Sequence, residues 1–284
     1  MPPGTSIASA LAAAATRLGA RLDAELLLGH LMGLDRIGLL KEREQILDPA
    51  VEAALQALVV RRADGEPVAY LTGRREFWSL EFIVDPRVLV PRPETELLVE
   101  TALALAARAP AGTVVDVGTG SGAVAVALAR ELPARQVVAL DDSTDALAVA
   151  AQNVARLAPG RVDLRESDLL SACGNDSLAM VVSNPPYVEA DWPELAANLR
   201  HEPRHALVAG RDGLDVIRRL VADARRCLHR DGWLVLEHGA RQGAAVRALL
   251  AEAGFADLVT QRDLAGLERV SAARWPGAST VQRA

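Results

Sequence analysis

The residues of this 284-residue chain best suited to chemistry are Asn184-Pro185-Pro186-Tyr187, which follow the apolar run Leu178 to Val182. That run reads as a buried strand, so the tetrapeptide stands at a strand end. Each proline holds φ near about −65° and lacks an N–H, which gives a stiff corner with free carbonyls. Such a corner fits a planar –NH2 group. The Asn184 side-chain oxygen and the Pro185 carbonyl can each accept one N–H, while Tyr187 packs against the flat group. An amide or exocyclic amine nitrogen is a poor nucleophile because its lone pair is delocalised. Holding it toward an electrophile is therefore the main service a protein can offer. Taken alone, the tetrapeptide reads equally well as a proline-stiffened turn.

A second motif begins at Asp116, 68 residues before Asn184. The strand-like run Thr113 to Val117 leads into Gly118-Thr119-Gly120-Ser121-Gly122, and Ala123 to Glu131 has helix-forming composition. Three glycines let the backbone pass close to a ligand, and a helix start offers free N–H groups. Gly118-x-Gly120-x-x-Ala123 also satisfies the dinucleotide pattern. Asp116 points elsewhere, because a carboxylate there would repel a pyrophosphate. It suits a cation such as the amino group and sulfonium of S-adenosylmethionine. Gln136 to Leu140 reads as a second strand with Asp141 at its end and Asp142 as the neighbouring alternative. An acid about 20 residues past a glycine turn is the usual partner of ribose hydroxyls. After a third strand, Arg161 to Glu166, Asp168 is expected to accept from an adenine amine and Leu169 to cover the ring. Each acid alone reads as a cap or solvated surface. Together they fall at strand ends, where open α/β sheets bind ligands.

Around these residues the pattern is that of an α/β protein. Residues 5 to about 62 show helical patterns only: Ile7 to Leu18, Asp23 to Met32, and Val51 to Arg62 after an Asp48-Pro49 start. Alternation over Phe77 to Val84 suggests a β-hairpin. Pro93 opens a helix through Ala107, and α/β alternation follows. Asp212 to His229 reads as one amphipathic helix, Trp233 to Glu237 as a strand and Arg241 to Ala253 as a helix. Two closing strands are marked by Val259 and Val270. The expected organisation is a helical domain over 1–75, a hairpin linker over 76–92 and an α/β domain over 93–284.

Composition narrows the class. Half the residues are hydrophobic but only 3% are aromatic, and the net charge is −6. That balance disfavours nucleic-acid binding by the whole surface. Two cysteines without a C-x-x-C pattern, and no signal-like leader, suggest free thiols in a reducing compartment. No stretch approaches the roughly 18 apolar residues of a membrane span. His201 and His205 lie four apart without a third ligand spaced with them, so no metal is expected.

Asp116 to Gly122 and Asn184 to Tyr187, in this order and spacing, resemble the protein-(glutamine-N5) methyltransferases, the HemK/PrmC family. The resemblance runs from about Asp23 to Trp275. It includes Arg61-Arg62-x-x-Gly65 to Gly73, Glu76 to Leu80, Val90 to Glu96, Glu202-Pro203 and Leu236 to Gly239. It implies a Rossmann-like class I S-adenosylmethionine-dependent methyltransferase sheet over 93–284, behind a small helical partner-binding domain over 1–75. By the same resemblance, Gly118 to Gly122, Asp141, Leu169 and Asn184 contact S-adenosylmethionine, and Asn184 to Tyr187 hold a glutamine. The implied substrate is the glutamine of the Gly-Gly-Gln loop of class 1 peptide chain release factors. Composition suggests a cytoplasmic protein, and a monomer is the default expectation. Leu169 departs from relatives with an aromatic after the Asp168 equivalent. The residues alone leave two alternatives open. The same corner fits adenine N6 or cytosine N4, though the N-terminal region lacks the aromatics and positive charge of a base-flipping module. A regulatory cofactor-binding module is the other, against which the asparagine motif speaks.

Overall fold

The computed structural model describes residues 4–192 and 199–277. The chain divides into two compact units, one ending at Arg74 and one beginning at Arg75.

The first unit is helical: α1 Ile7–Leu18, α2 Arg21–Met32, α3 Arg36–Lys41, α4 Pro49–Ala63 and α5 Val68–Thr72. Side-chain oxygens of Ser6, Asp35 and Asp48 accept from backbone N–H groups at the starts of α1, α3 and α4, and Pro49 sits where a helix tolerates it. Gly19 and Gly33 end α1 and α2 in the left-handed region. Ile7, Leu27, Leu28, Leu39, Leu47 and Leu55 form the core. The two short helices α3 and α5 are the additions to the expected set. Six and five residues are too few to print an apolar period, and α3 buries only Leu39.

The second unit opens inside a two-stranded hairpin, β1 Arg74–Phe77 and β2 Leu80–Ile83, whose first residue ends the helical unit. Its turn places Trp78 and Ser79 at φ 53° and 55°, a conformation that costs non-glycine residues. Two hydrogen bonds offset that cost: Trp78 N–H donates to Glu96 and its indole N–H to Glu131. After a 3-10 turn at Pro93–Thr95 come α6 Glu96–Ala106, β3 Thr113–Val117, α7 Ala123–Glu131, β4 Val137–Asp141, α8 Thr144–Leu157, β5 Val162–Glu166 and β6 Leu178–Ser183. The remaining described elements are a 3-10 turn at Arg204–Ala206, α9 Asp215–Cys227, β7 Leu228–Glu237, α10 Gly243–Glu252, β8 Ala256–Arg262 and β9 Glu268–Arg274.

Seven strands form one sheet in the order β5-β4-β3-β6-β7-β9-β8. Pairing from β5 through β7 is parallel, and β9 pairs antiparallel with β7 and β8. β6 is buried at all six positions, as a central strand covered on both faces must be. The chain runs outward from β3 to β5 and then returns to lay β6 on the other side of β3. The carboxyl ends of β3 and β6 therefore flank the point where strand order reverses, the usual ligand crevice of such sheets.

One expected boundary is corrected. The helix read as Asp212 to His229 is α9, which stops at Cys227, and β7 runs ten residues rather than five. Its first half carries His229, Arg230 and Asp231, two of them exposed, which hides the strand signal. Leu228 nevertheless pairs with Leu178, and a register shift before Met180 absorbs the irregularity.

Candidate active site

Ser183, the last residue of β6, pairs with Val117, the last of β3, and its hydroxyl donates to the Val117 carbonyl at 2.7 Å. This contact sets the glycine turn and the asparagine motif side by side, although 68 residues separate Asp116 from Asn184.

The glycine turn is built from beneath. Gly118, Gly120 and Gly122 take φ of 70°, 54° and 82°. A methyl at Gly118 or Gly120 would meet nothing within 4 Å, whereas at Gly122 it would press on Ala150 at 3.3 Å. The first two thus face open space and the third serves helix packing. Asp116 is 1% exposed and accepts from the Thr119 hydroxyl at 2.6 Å and the Ala125 N–H at 3.1 Å. It ties the turn to the start of α7, and burial raises its pKa to about 7. Asp141 takes the Gly120 N–H on one oxygen (2.8 Å) and the Ser143 N–H on the other (3.0 Å). Burial raises its pKa too, against those two donors. Asp142 beside it is exposed. Asn153, wholly buried, donates to the Ser121 and Ile83 carbonyls and accepts from the Ile83 N–H, so the hairpin is fastened to the turn.

A cavity of about 160 Å³ opens over this turn, lined by Gly118, Gly120, Asp141, Asp142, Asp168, Leu169 and Asn184 among others. Asp168 is exposed and paired with Arg219 at 2.6 Å. Leu169 is half-buried with φ 46°, its carbonyl receiving the Ser167 hydroxyl. Thr119, Ser121 and Gly122, like Asp116, are not among the residues that line this cavity.

A second cavity, about 350 Å³, is lined by Asn184, Pro185, Tyr187, Leu89, Arg92, Leu207 and Arg269 among others. Asn184, Leu89 and Ala206 line both cavities, so the two meet at the asparagine. Asn184 Nδ2 donates to the Thr95 hydroxyl at 3.2 Å. Thr95 stands among the groups that act on the buried Glu237 carboxylate, whose Oε1 receives the Tyr187 hydroxyl at 3.3 Å while Oε2 has no hydrogen-bond partner among the described residues. The Thr95 contact orients the Asn184 amide: Nδ2 is turned to the hydroxyl, and Asn184 Oδ1 is left for a donor in the cavity. Among the described residues none donates to Oδ1 or to the Pro185 carbonyl. The corner therefore presents two unused acceptors, the arrangement a planar –NH2 requires.

Thr95, Glu237 and Gln242 are the site residues that sequence reasoning missed. Glu237 is 1% exposed, and burial raises its pKa to about 7. Its position at the end of an apolar strand was the available signal. Gln242 clamps the motif from outside, donating to the Tyr187 carbonyl at 3.0 Å while accepting from the Gly239 N–H. Nothing in its surroundings in sequence marks it. His238 is buried between the Gly239 carbonyl and the Ser271 hydroxyl, away from either cavity.

Comparison with known proteins agrees with this arrangement. Residues 5–73 match the model of the PrmC N-terminal domain, and residues 93–262 that of the methyltransferase small domain. A Pseudomonas aeruginosa protein named release factor glutamine methyltransferase is 49% identical, over 90% of this chain and 93% of its own. Proteins of the same name from Xylella fastidiosa (47%; 94% of this chain, 98% of its own) and Escherichia coli (44%; 90% and 92%) are also similar. Among solved structures, a methyltransferase from Pyrococcus furiosus shares the fold, with a TM-score of 0.52 at 17% identity, covering 78% of this chain and 98% of its own.

Proposed function

Because this chain belongs to the release factor glutamine methyltransferase family, we propose that it methylates the side-chain amide nitrogen of a glutamine in the Gly-Gly-Gln loop of class 1 peptide chain release factors. The observation that carries this reading is the meeting of two cavities at an asparagine whose oxygen is unused.

S-adenosylmethionine, when bound, supplies a methyl group made electrophilic by a cationic sulfur. The residues over the glycine turn fit it. The backbone is open at Gly118 and Gly120, where an added methyl would meet only space. Each Asp141 oxygen holds one backbone N–H and keeps a lone pair for a ribose hydroxyl. Asp116 lends negative potential from beneath the turn and, through Thr119 and Ala125, holds its shape. Ser121 and Gly122 complete the turn, and Asp168 with Leu169 forms the wall for the adenine.

On the acceptor side, Asn184 Oδ1 and the Pro185 carbonyl each accept one N–H of the substrate amide. This aims the nitrogen lone pair at the neighbouring cavity. As the nitrogen pyramidalises it gains positive charge, and the two acceptors stabilise that charge. Pro186 keeps the corner stiff and Tyr187, anchored on Glu237, backs the flat group. Once cationic, the nitrogen is acidic enough to lose its proton to solvent, so no residue is assigned as general base. The helical unit ending at Arg74 is assigned to holding the partner, where a second contact raises effective concentration. No described helix is long and apolar enough to cross a membrane. The exocyclic-amine alternative is not favoured, since relatives covering nine-tenths of the chain are named for release factors.

The test is transfer of labelled methyl from S-adenosylmethionine to a purified class 1 release factor, with duplex and single-stranded DNA alongside. Label on the release factor alone supports the reading; label on DNA overturns it.

A further inference from the structure

Arg92, held between Pro91 and Pro93, lines the acceptor cavity beside Asn184, Pro185 and Tyr187. Its Nη2 donates to Glu202 Oε1 at 2.5 Å, and Glu202 Oε2 accepts the Val90 N–H at 3.1 Å. The Glu202 side chain is 2% exposed and that of Arg92 34%. One end of the pair is therefore sealed in the protein and the other opens on the cavity.

A guanidinium carries five N–H donors in a rigid fork, and Glu202 is its one recorded partner among the described residues. Glu202 also neutralises its charge. What faces the cavity is a set of directed donors with little net charge, which suits a neutral carbonyl better than a phosphate or carboxylate. The Asn184 corner itself lacks such donors: Asn184 Oδ1 and the Pro185 carbonyl only accept, and Gln242 spends its amide on Tyr187 and Gly239. Of the other guanidiniums lining the cavity, Arg241 lies over the Trp192 ring and Arg269 gives its Nε to Asp263, and neither is flanked by two prolines as Arg92 is. Yet a peptide loop entering this cavity brings main-chain carbonyls that lose water, and a buried unpaired carbonyl is costly.

We propose that Arg92 is a substrate-binding residue whose guanidinium donates to main-chain carbonyls of the loop carrying the target glutamine, with Glu202 as the residue that positions its fork. This rests on the amide-methylation reading above and names what in the cavity recognises a peptide rather than a nucleobase.

The test separates binding from bracing. Arg92→Met raises KM for a class 1 release factor about 10- to 100-fold, the worth of a hydrogen bond from a charged donor. Its kcat changes little, and its affinity for S-adenosylmethionine stays at the wild-type value. Its Tm falls, because Glu202 is left buried without its partner. Arg92→Met combined with Glu202→Gln regains the Tm, since glutamine still accepts the Val90 N–H, but keeps the raised KM. Arg92→Lys, which retains charge without the fork, lies between. Wild-type KM in Arg92→Met, or recovery of KM together with Tm in the double variant, overturns the proposal. Should Arg92→Met fail to fold, the double variant and Arg92→Lys decide the matter. Failure of the wild type to methylate the glutamine is a separate result, and it sinks the reading beneath.

Discussion

At the scale of single residues, the site depends on orientation more than on charge. Asn184 serves only if its oxygen faces the cavity, and the bond from its Nδ2 to Thr95 sets that orientation. Thr95→Val removes the hydroxyl at nearly constant shape. It is expected to lower kcat about 10-fold, the rough worth of one lost hydrogen bond. Thr95→Ser retains activity. Single-turnover methylation of a release factor compares them, and wild-type kcat in Thr95→Val, with loss in Thr95→Ser, would show that shape rather than the hydroxyl matters. Asn184→Ala is expected to abolish turnover while binding of S-adenosylmethionine, measured by calorimetry, changes less. On the other side of the crevice, Asp141→Ala loses the anchors of Gly120 and Ser143 as well as a carboxylate. Its dissociation constant for S-adenosylmethionine should rise about 10-fold or more; an unchanged constant would remove Asp141 from the site. The acids and glycines around the turn were legible in sequence because they stand together where apolar runs break. Glu237 also ends an apolar strand, but its part, like that of Thr95, depends on a contact between chain segments far apart in sequence.

At the scale of elements, the sheet places the chemistry and the loops supply it. The strand runs β3, β4 and β6 were plain because continuous valine-rich segments are what a doubly covered parallel sheet requires. The first half of β7 was hidden by its polar residues, and α3 and α5 by their brevity. The hairpin was expected from alternation, but its role was not. Through Asn153 it is fastened to the Ser121 carbonyl, so β2 and the glycine turn share one buried side chain. Asn153→Ala strands these groups and should destabilise the protein by about 2–4 kcal/mol in urea titration. It should also weaken S-adenosylmethionine binding, because the turn loses its support. A loss of stability with unchanged cofactor affinity would separate hairpin from turn.

At the scale of the whole molecule, three buried carboxylates outside the recorded ion pairs of the described residues, Asp116, Asp141 and Glu237, shape the response to pH. Burial raises the folded-state pKa of all three, and those of Asp116 and Glu237 go to about 7 from 3.8 and 4.5. In that interval the folded state binds more protons than the unfolded one, so stability falls as pH rises toward 7. Glu237→Gln should flatten its share of this slope, on the order of 3 kcal/mol between about pH 4.5 and 7. Urea melts across that range check it, and an unchanged slope would mean that Glu237 is ionised at no such cost. The division into a helical unit and a sheet unit could be read from where strand patterns begin, since periodicity is local. The joining of two cavities at one asparagine could not, because it arises from the return of β6 to the side of β3.

Delivery of a methyl group from this crevice to an amide nitrogen is tested most directly by fragment-ion mass spectrometry of a class 1 release factor incubated with the protein and S-adenosylmethionine. One added methyl group is expected, confined to the side-chain amide of the Gly-Gly-Gln glutamine and absent with Asn184→Ala. Methylation at any other residue, or an equal gain with Asn184→Ala, would overturn that assignment.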